Sequence, residues 1–162
     1  MHLPAHEFLK PASLADCLAA LRDAAGEVKP VAGGTDVVFN MRGQLFQPDV
    51  LLSIRGLPEL QGLEALPGGG LRIGAGMRLS DLERAPALAA YPALALACRS
   101  VASRHIRNMA TLGGNLCLDT RCWYTNQTAE WRRARGPCLK NGVNACHAIK
   151  SSPVCVALNA SD

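Results

Sequence analysis

Aromatic residues are scarce, at 4% of 162, and no apolar run is long. The longest stretch free of charged and strongly polar residues is 85–98, fourteen residues interrupted by Pro86 and Pro92, against the roughly 18 to 20 that a membrane span requires. A transmembrane segment is excluded, and the stretch reads as core. The N-terminal Met1-His2-Leu3-Pro4-Ala5-His6-Glu7 has no basic start followed by an apolar stretch, which is not the pattern of a secretory signal. A cytoplasmic protein is expected, with no membrane and no nucleic acid among its partners. Also missing are compact C-x-x-C knuckles, a spaced G-x-G-x-x-G fingerprint, internal repeats and low-complexity tracts. What remains, 49% hydrophobic and 19% charged, excludes disorder and describes a globular chain with one or two small cores.

Periodicity supplies the elements. Ser13, Asp16 and the apolar spacing of Leu14, Cys17, Leu18, Leu21 and Ala24 predict a helix over 13–25, capped by Ser13 and stopped by Gly26. A strand is expected at 28–32, a helix at 37–41 and a fully buried strand at 50–54, together a small parallel βαβ layer. Pro67-Gly68-Gly69-Gly70 reads as a hairpin turn into a strand at 71–75. Ser80-Asp81 is expected to cap a short helix, Pro92 to open another, and Gly136-Pro137 to end one over 128–135.

Two double glycines carry the first candidate chemistry. Ala32-Gly33-Gly34-Thr35-Asp36 lies where a strand hands over to a helix, where free N–H groups suit an anion such as a diphosphate and a Cβ would hold it away. Alone, such a Gly-Gly at a strand end is more often a plain turn than a ligand cradle. Thr111-Leu112-Gly113-Gly114-Asn115 offers a second such turn, from which a diphosphate would be gripped on its other side. Arg104, His105, Arg107 and Asn108, just upstream, read either as a solvated loop or as a face toward a cofactor or partner.

Cysteine is concentrated. Five of seven fall in 117–155, and residues 121–155 carry a net charge of +5 against −1 for the rest. In a reducing compartment such a cluster points to a metal or iron-sulfur centre over disulfides. Cys122, Cys138, Cys146 and Cys155 have fifteen, seven and eight residues between neighbours, so their spacing leaves zinc and a cubane cluster both open. A basic loop offsets the charge of a thiolate-bound [4Fe-4S] cluster, and equally serves as a docking patch or a solvated face. Cys117 adjoins the second glycine pair and reads as a small buried hydrophobe.

The ordered motifs 29–36, 100–103 and 107–116 closely resemble the FAD-binding subunits of molybdenum hydroxylases such as xanthine dehydrogenase and carbon monoxide dehydrogenase. The resemblance implies an α/β (α+β) fold of two FAD-binding subdomains, at 1–57 and 58–162, with an insertion at 117–156 and no C-terminal domain. It implies FAD contacts at Lys29, Pro30, Val31, Ala32, Gly33, Gly34, Thr35 and Asp36, at Val101, at Ala110, Thr111, Leu112, Gly113, Gly114 and Asn115, and at Asp162. Because such subunits continue past the position of Asp162, the chain reads as a fragment. The cysteine segment resembles that of the flavin subunit of 4-hydroxybenzoyl-CoA reductases through Asp119-Thr120-Arg121-Cys122, Tyr124-Thr125-Asn126-Gln127, Trp131-Arg132, Cys138-Leu139-Lys140, Cys146-His147 and Cys155. This implies a [4Fe-4S] cluster on Cys122, Cys138, Cys146 and Cys155. It further implies a ferredoxin donor, electron flow through the cluster and FAD to a [2Fe-2S] small subunit and a molybdenum-cofactor large subunit, and reductive dehydroxylation of 4-hydroxybenzoyl-CoA in anaerobic aromatic degradation. The rivals are an oxidising molybdenum hydroxylase for another substrate and a zinc-stabilised, non-redox binding module.

Overall fold

The computed structural model describes residues 2–143 and 145–157. In chain order the elements are β1 (Glu7–Leu9), α1 (Leu14–Asp23), β2 (Val28–Val31), α2 (Val37–Arg42), β3 (Val50–Ser53), β4 (Leu63–Ala65), β5 (Leu71–Ile73), α3 (Leu79–Leu82), α4 (Pro92–Ser100), α5 (Arg104–Arg107), α6 (Leu112–Leu116) and α7 (Ala129–Arg135). No helix among the described residues is long and apolar enough to cross a membrane. By packing, residues 6–35 and 48–117 form one unit, and residues 2–5, 36–47 and 118–157 another.

The first unit holds two sheets. In one, β1 and β2 flank β3, all parallel, with Leu9 opposite Leu52 and Val31 opposite Ser53. Asp49 sets where this sheet begins. Its carbonyl accepts from Glu7 N–H at 2.8 Å, its N–H donates to Glu27 O at 2.9 Å, and its Oδ2 accepts from Glu27 N–H at 2.8 Å. Gly26 serves this arrangement, because a Cβ there would lie 2.3 Å from the Asp49 carboxylate. The expected stop signal is thus a packing residue: α1 ends at Asp23, two residues before Ala25. The Ser13 cap is as expected, its Oγ accepting from Asp16 N–H at 3.1 Å. Against the sheet packs a core of Cys17, Leu52 and Leu57, with Leu9, Leu14 and Val28 at its edge.

The second sheet is the antiparallel pair β4–β5, joined across the glycine-rich 66–70 turn. A separate core covers it, built from Leu79, Leu82, Leu88, Cys98, Val101 and Ala110, with Leu63, Leu71 and Ile73 packed on it. Burying each such leucine fully stabilises the fold by about 2 kcal/mol. Here Ser80 departs from its expected role. It is buried inside α3, whose N-cap is Arg78 without a side-chain bond; the helix is held instead by Leu79 N–H donating to Ala110 O at 3.0 Å.

The second unit is built around α2 and the 118–157 segment. Thr128 caps α7 by accepting from Trp131 N–H at 3.3 Å, and Gly136, at φ +89°, ends it as expected. Tyr124 is the packing centre: Trp131 and His147 rings lie 6.3 and 5.6 Å from its centroid, and the Arg135 guanidinium stands over its face at 5.7 Å. His147 Nε2 is 3.1 Å from Gly136 O, which ties the two ends of this cluster together.

All seven cysteines are unbridged, and they differ sharply in access. Burial pushes the Cys17 and Cys98 thiols up, with the Glu83 charge adding to the effect at Cys98, so both are kept as unreactive thiols. Alkylation followed by peptide mass analysis should label exposed Cys117 and Cys155 first. Cys17, Cys98 and Cys138 should react only after denaturation, and rapid labelling of Cys17 in the folded protein would contradict this packing.

Candidate functional site

The site is organised by the meeting of the two motifs. Gly33 lies directly against the chain at 109–110: an added Cβ would fall 1.9 Å from Met109 O and 3.1 Å from Ala110 N. Gly34 follows at φ +73°, a left-handed conformation that costs other residues about 1 kcal/mol or more. Beyond β2 the strand ladder has ended, and among the described residues the N–H groups of Gly33, Gly34 and Thr35 have no acceptor. These residues are only half buried. Three successive unpaired donors on a glycine backbone form a cradle for an anion, and side chains at these positions would fill it.

The second double glycine is built differently. It is the body of helix α6 and not a turn, because Thr111 Oγ1 accepts from Gly114 N–H at 3.2 Å and caps it. Its other donors are engaged as well: Leu112 N–H meets Met77 O at 2.9 Å, Gly113 N–H meets Ala75 O at 2.8 Å, and Asn115 N–H meets Thr111 O at 2.9 Å. Gly113 is glycine because a Cβ would lie 2.7 Å from that of Ala75. The expectation that an anion is gripped by two sets of amides is therefore corrected. The free amides belong to the first motif, and the second supplies the surface on which Gly33 rests.

Other candidates divide between face and framework. Lys29 and Ala32 are half buried, Pro30 is exposed and Val31 is buried. Val101 is packed in the core at 4% exposure. Arg107, read from sequence as a loop or cofactor-facing group, is framework. Its Nε donates to Glu83 Oε2 at 2.9 Å and its Nη1 to Val101 O at 2.9 Å, with both side chains nearly buried, at 13% and 9% exposure. Nothing in the sequence signals that pair, whose members stand 24 residues apart. Asp36 belongs to the second unit: its Oδ2 accepts from Asn40 Nδ2 at 2.9 Å and its Oδ1 from Arg121 Nη2 at 2.8 Å. Asp162 lies outside the described residues.

The four cysteines expected to share a cluster are not gathered. Cys138 is buried with its Sγ 3.6 Å from Thr125 Oγ1, Cys146 Sγ accepts from Ile149 N–H at 3.4 Å, Cys122 is half buried and Cys155 is exposed. Among the described residues no three His, Cys, Asp or Glu side chains converge as a metal site. As arranged, this thiol set does not fit a [4Fe-4S] cluster, and two side-chain clamps shape the segment instead. Arg132 donates to the carbonyls of Gly43, Gln44 and Gln127, and burial pushes its guanidinium below the usual arginine range. Lys140 meets Asp119 Oδ2 at 2.8 Å together with the carbonyl and hydroxyl of Thr120. Arg132, Lys140, Asp119 and Thr120 line a polar cleft of about 280 Å³.

With this geometry in place, comparison with known proteins is decisive on family. Residues 4–162 match the family described as the FAD binding domain in molybdopterin dehydrogenase. The chain belongs to this family. The carbon monoxide dehydrogenase medium chain of Hydrogenophaga pseudoflava is 32% identical over 113 residues, covering 70% of this chain and 39% of the relative. A putative xanthine dehydrogenase FAD-binding subunit of Escherichia coli K12 is 37% identical over 109 residues, 67% of this chain and 37% of the relative. The carbon monoxide dehydrogenase structure from H. pseudoflava superposes with a TM-score of 0.68 at 32% identity, over 72% of this chain and 40% of that one. Quinoline 2-oxidoreductase from Pseudomonas putida 86 does so with a TM-score of 0.68 at 29% identity, again over 72% and 40%. The chain thus spans about two-fifths of these relatives' length. The parallel and antiparallel sheets are the FAD-binding fold of this family's flavin subunits.

The two glycines of the first motif should differ in what they tolerate. Gly33→Ala should destabilise the first unit by about 3 kcal/mol or more, because backbone must move, whereas Gly34→Ala should cost about 1 kcal/mol from its dihedral alone. Thermal melts of the two variants rank them, and equal midpoints would refute the account. In the second unit, the Lys140 ammonium hydrogen-bonded to Asp119 holds that carboxyl below its ordinary value, with Thr120 contributing. The stabilisation is full above the ordinary carboxylate range of about 4 and is lost as pH falls through the lower folded value. Both tryptophans, Trp123 and Trp131, lie in this segment. Their fluorescence should report a transition as pH falls below the ordinary carboxylate range of about 4 that Asp119→Asn removes.

Proposed function

We propose that this chain is the FAD-holding part of the flavin subunit of a molybdenum hydroxylase, an oxidoreductase component that passes electrons and does no bond chemistry on the substrate. The observation that supports this most is the row of unpaired N–H groups at Gly33, Gly34 and Thr35, with Gly34 in a left-handed conformation, inside an FAD-binding family domain. Those amides would take the diphosphate of FAD, since backbone donors fix an anion without bringing a counter-charge that must be desolvated. Lys29, Pro30, Val31 and Ala32 lead the chain to that point. The segment Ala110, Thr111, Leu112, Gly113, Gly114 and Asn115 supports the cradle from below, and Val101 anchors it in the core. When bound, FAD supplies the redox chemistry, while the protein orients it and sets its surroundings. Asp36 and Asp162 complete the proposed contact set.

The partners we propose are a molybdenum-cofactor large subunit and a [2Fe-2S] small subunit. Relatives named as a carbon monoxide dehydrogenase medium chain, a caffeine dehydrogenase subunit beta and a nicotinate dehydrogenase FAD-subunit support this assignment. The finer reading, reductive dehydroxylation of 4-hydroxybenzoyl-CoA with a ferredoxin donor and a [4Fe-4S] cluster on this chain, is supported by the ordered residues of the cysteine segment. The thiol arrangement adds nothing to it, so no step is routed through that cluster.

Anaerobic purification of the protein with its neighbouring subunits, followed by flavin and metal analysis, tests both levels. Stoichiometric FAD is expected, and its absence from a folded protein would overturn the proposal. Iron in [4Fe-4S] stoichiometry that disappears in Cys138→Ser while FAD stays would establish the cluster of the finer reading on this chain. A flavoprotein whose iron content is the same in wild type and Cys138→Ser would remove it.

A further inference from the structure

A strained residue stands at the root of the segment on which Gly33 rests. Ala102 has a φ of +40°, in the left-handed region that a Cβ disfavours. It is exposed, so burial of its own side chain does not hold it there. Strain of this kind persists only where the surroundings over-determine it, and here they are one side chain. Arg107 Nη1 donates to Val101 O at 2.9 Å and to Ala102 O at 3.3 Å, while its Nε donates to Glu83 Oε2 at 2.9 Å. The two peptides on either side of the Ala102 Cα are thus clamped to a single guanidinium, whose rigid fork reaches carbonyls and carboxylate at once. Glu83 in turn follows directly on α3, whose Leu79 and Leu82 are core.

What the clamp fixes lies downstream of the turn. α5 begins two residues after Ala102, capped by Ser103, and its four residues form too short a helix to hold themselves. Beyond it, Met109 N–H and Ala110 N–H both donate to Ile106 O, at 2.9 and 2.7 Å, so the place of the Met109 carbonyl follows that of α5. That carbonyl is the atom 1.9 Å from where a Cβ of Gly33 would stand. Gly33, Gly34, Thr35, Glu83 and the whole of 101–110 belong to the first unit, and the chain of contacts from Ala102 to the cradle never leaves it.

We infer that Arg107 is a positioning residue for flavin binding: by clamping the left-handed turn at Ala102 to Glu83, it sets the place of Met109 and Ala110 and hence of the amides of Gly33, Gly34 and Thr35. It acts through the backbone, with its charge spent on Glu83. The inference rests on the reading of Gly33, Gly34 and Thr35 as the diphosphate cradle, and its test separates the two.

FAD affinity is measured by titrating the deflavinated protein, in its complex, well below the melting midpoint of each variant, where a loss of global stability alone leaves the dissociation constant unmoved. Arg107→Lys keeps a cation for Glu83 but gives up the fork. Its dissociation constant should rise about tenfold, equivalent to about 1.4 kcal/mol and within what a left-handed non-glycine residue stores. The decisive variant adds Ala102→Gly. Glycine adopts this backbone without strain, so the double variant should bind FAD to within about threefold of wild type. If the double variant binds as weakly as Arg107→Lys, or if Arg107→Lys binds as wild type does, the inference falls. Ala102→Val, with Arg107 intact, examines the same turn without touching the Glu83 pair: a β-branched residue deepens the strain at an exposed position, and affinity should fall, whereas Ala102→Gly alone should leave it unchanged. Equal affinity of these two variants overturns the inference even where Arg107→Lys does not fold. Failure of the wild-type protein itself to bind FAD overturns the cradle reading instead.

Discussion

The close approach of Gly33 to the backbone at Met109 and Ala110 is the constraint from which the site follows. A Cβ cannot be placed 1.9 Å from a carbonyl oxygen, so this crossing of two distant chain segments exists only because residue 33 has no side chain. The crossing locates the end of β2 and fixes the direction in which the chain leaves the sheet. The amides of Gly33, Gly34 and Thr35 come after the strand ladder has ended and have no acceptor among the described residues. Ala110 already gives its carbonyl to Leu79, and Thr111 pairs across to Arg78. Unpaired donors of this kind persist only where water or a ligand reaches them, and the half-burial of 33–35 is consistent with such a role.

The short helices of the chain show the same dependence on tertiary contacts. α2, α5 and α6 have six, four and five residues, well below the length at which a helix is stable alone. Each is held by specific caps: α5 by Ser103 and the Arg107–Glu83 pair, α6 by Thr111 and the carbonyls of Ala75 and Met77, α2 by Arg121 and Arg132. Removing the partner of a buried charge such as Glu83 leaves the other uncompensated, which costs more than the pair contributes when intact. Arg107, Arg132 and Lys140 all spend their charge on the framework, and this is why a basic segment is a poor guide to function here.

What is legible in the sequence is local. Ser13 and Thr128 sit three residues ahead of the amides they cap, and both helices start where that spacing puts them. β3, a run of apolar residues, is a central strand as its composition implies. β1 gives no such signal, because Glu7–Leu9 has neither alternation nor length; it is a strand only because β3 lies beside it. Gly26 and Ser80 mislead for a similar reason. Each matches a terminus signal, but Gly26 makes room for Asp49, and Ser80 is carried into the core on α3. The cysteines mark the limit of such inference. Shared residue order identifies the segment, while convergence of thiols is a matter of distance that spacing does not specify, and the described chain holds them apart.

The two Gly-Gly pairs show how identical dipeptides acquire opposite uses. Both stand near the start of a helix, and both carry the expectation of an anion site. The difference lies in where threonine falls. Thr111 precedes its glycines, three residues ahead of Gly114, so its hydroxyl takes that amide and a helix begins before the pair. Thr35 follows its glycines and cannot cap them from behind, so the helix starts only after Asp36 and the glycine amides are left over. A hydroxyl ahead of a glycine pair closes the backbone on itself, whereas one behind it leaves the donors for a ligand. The order of threonine and glycine along the chain therefore carries the distinction between the cradle and its support.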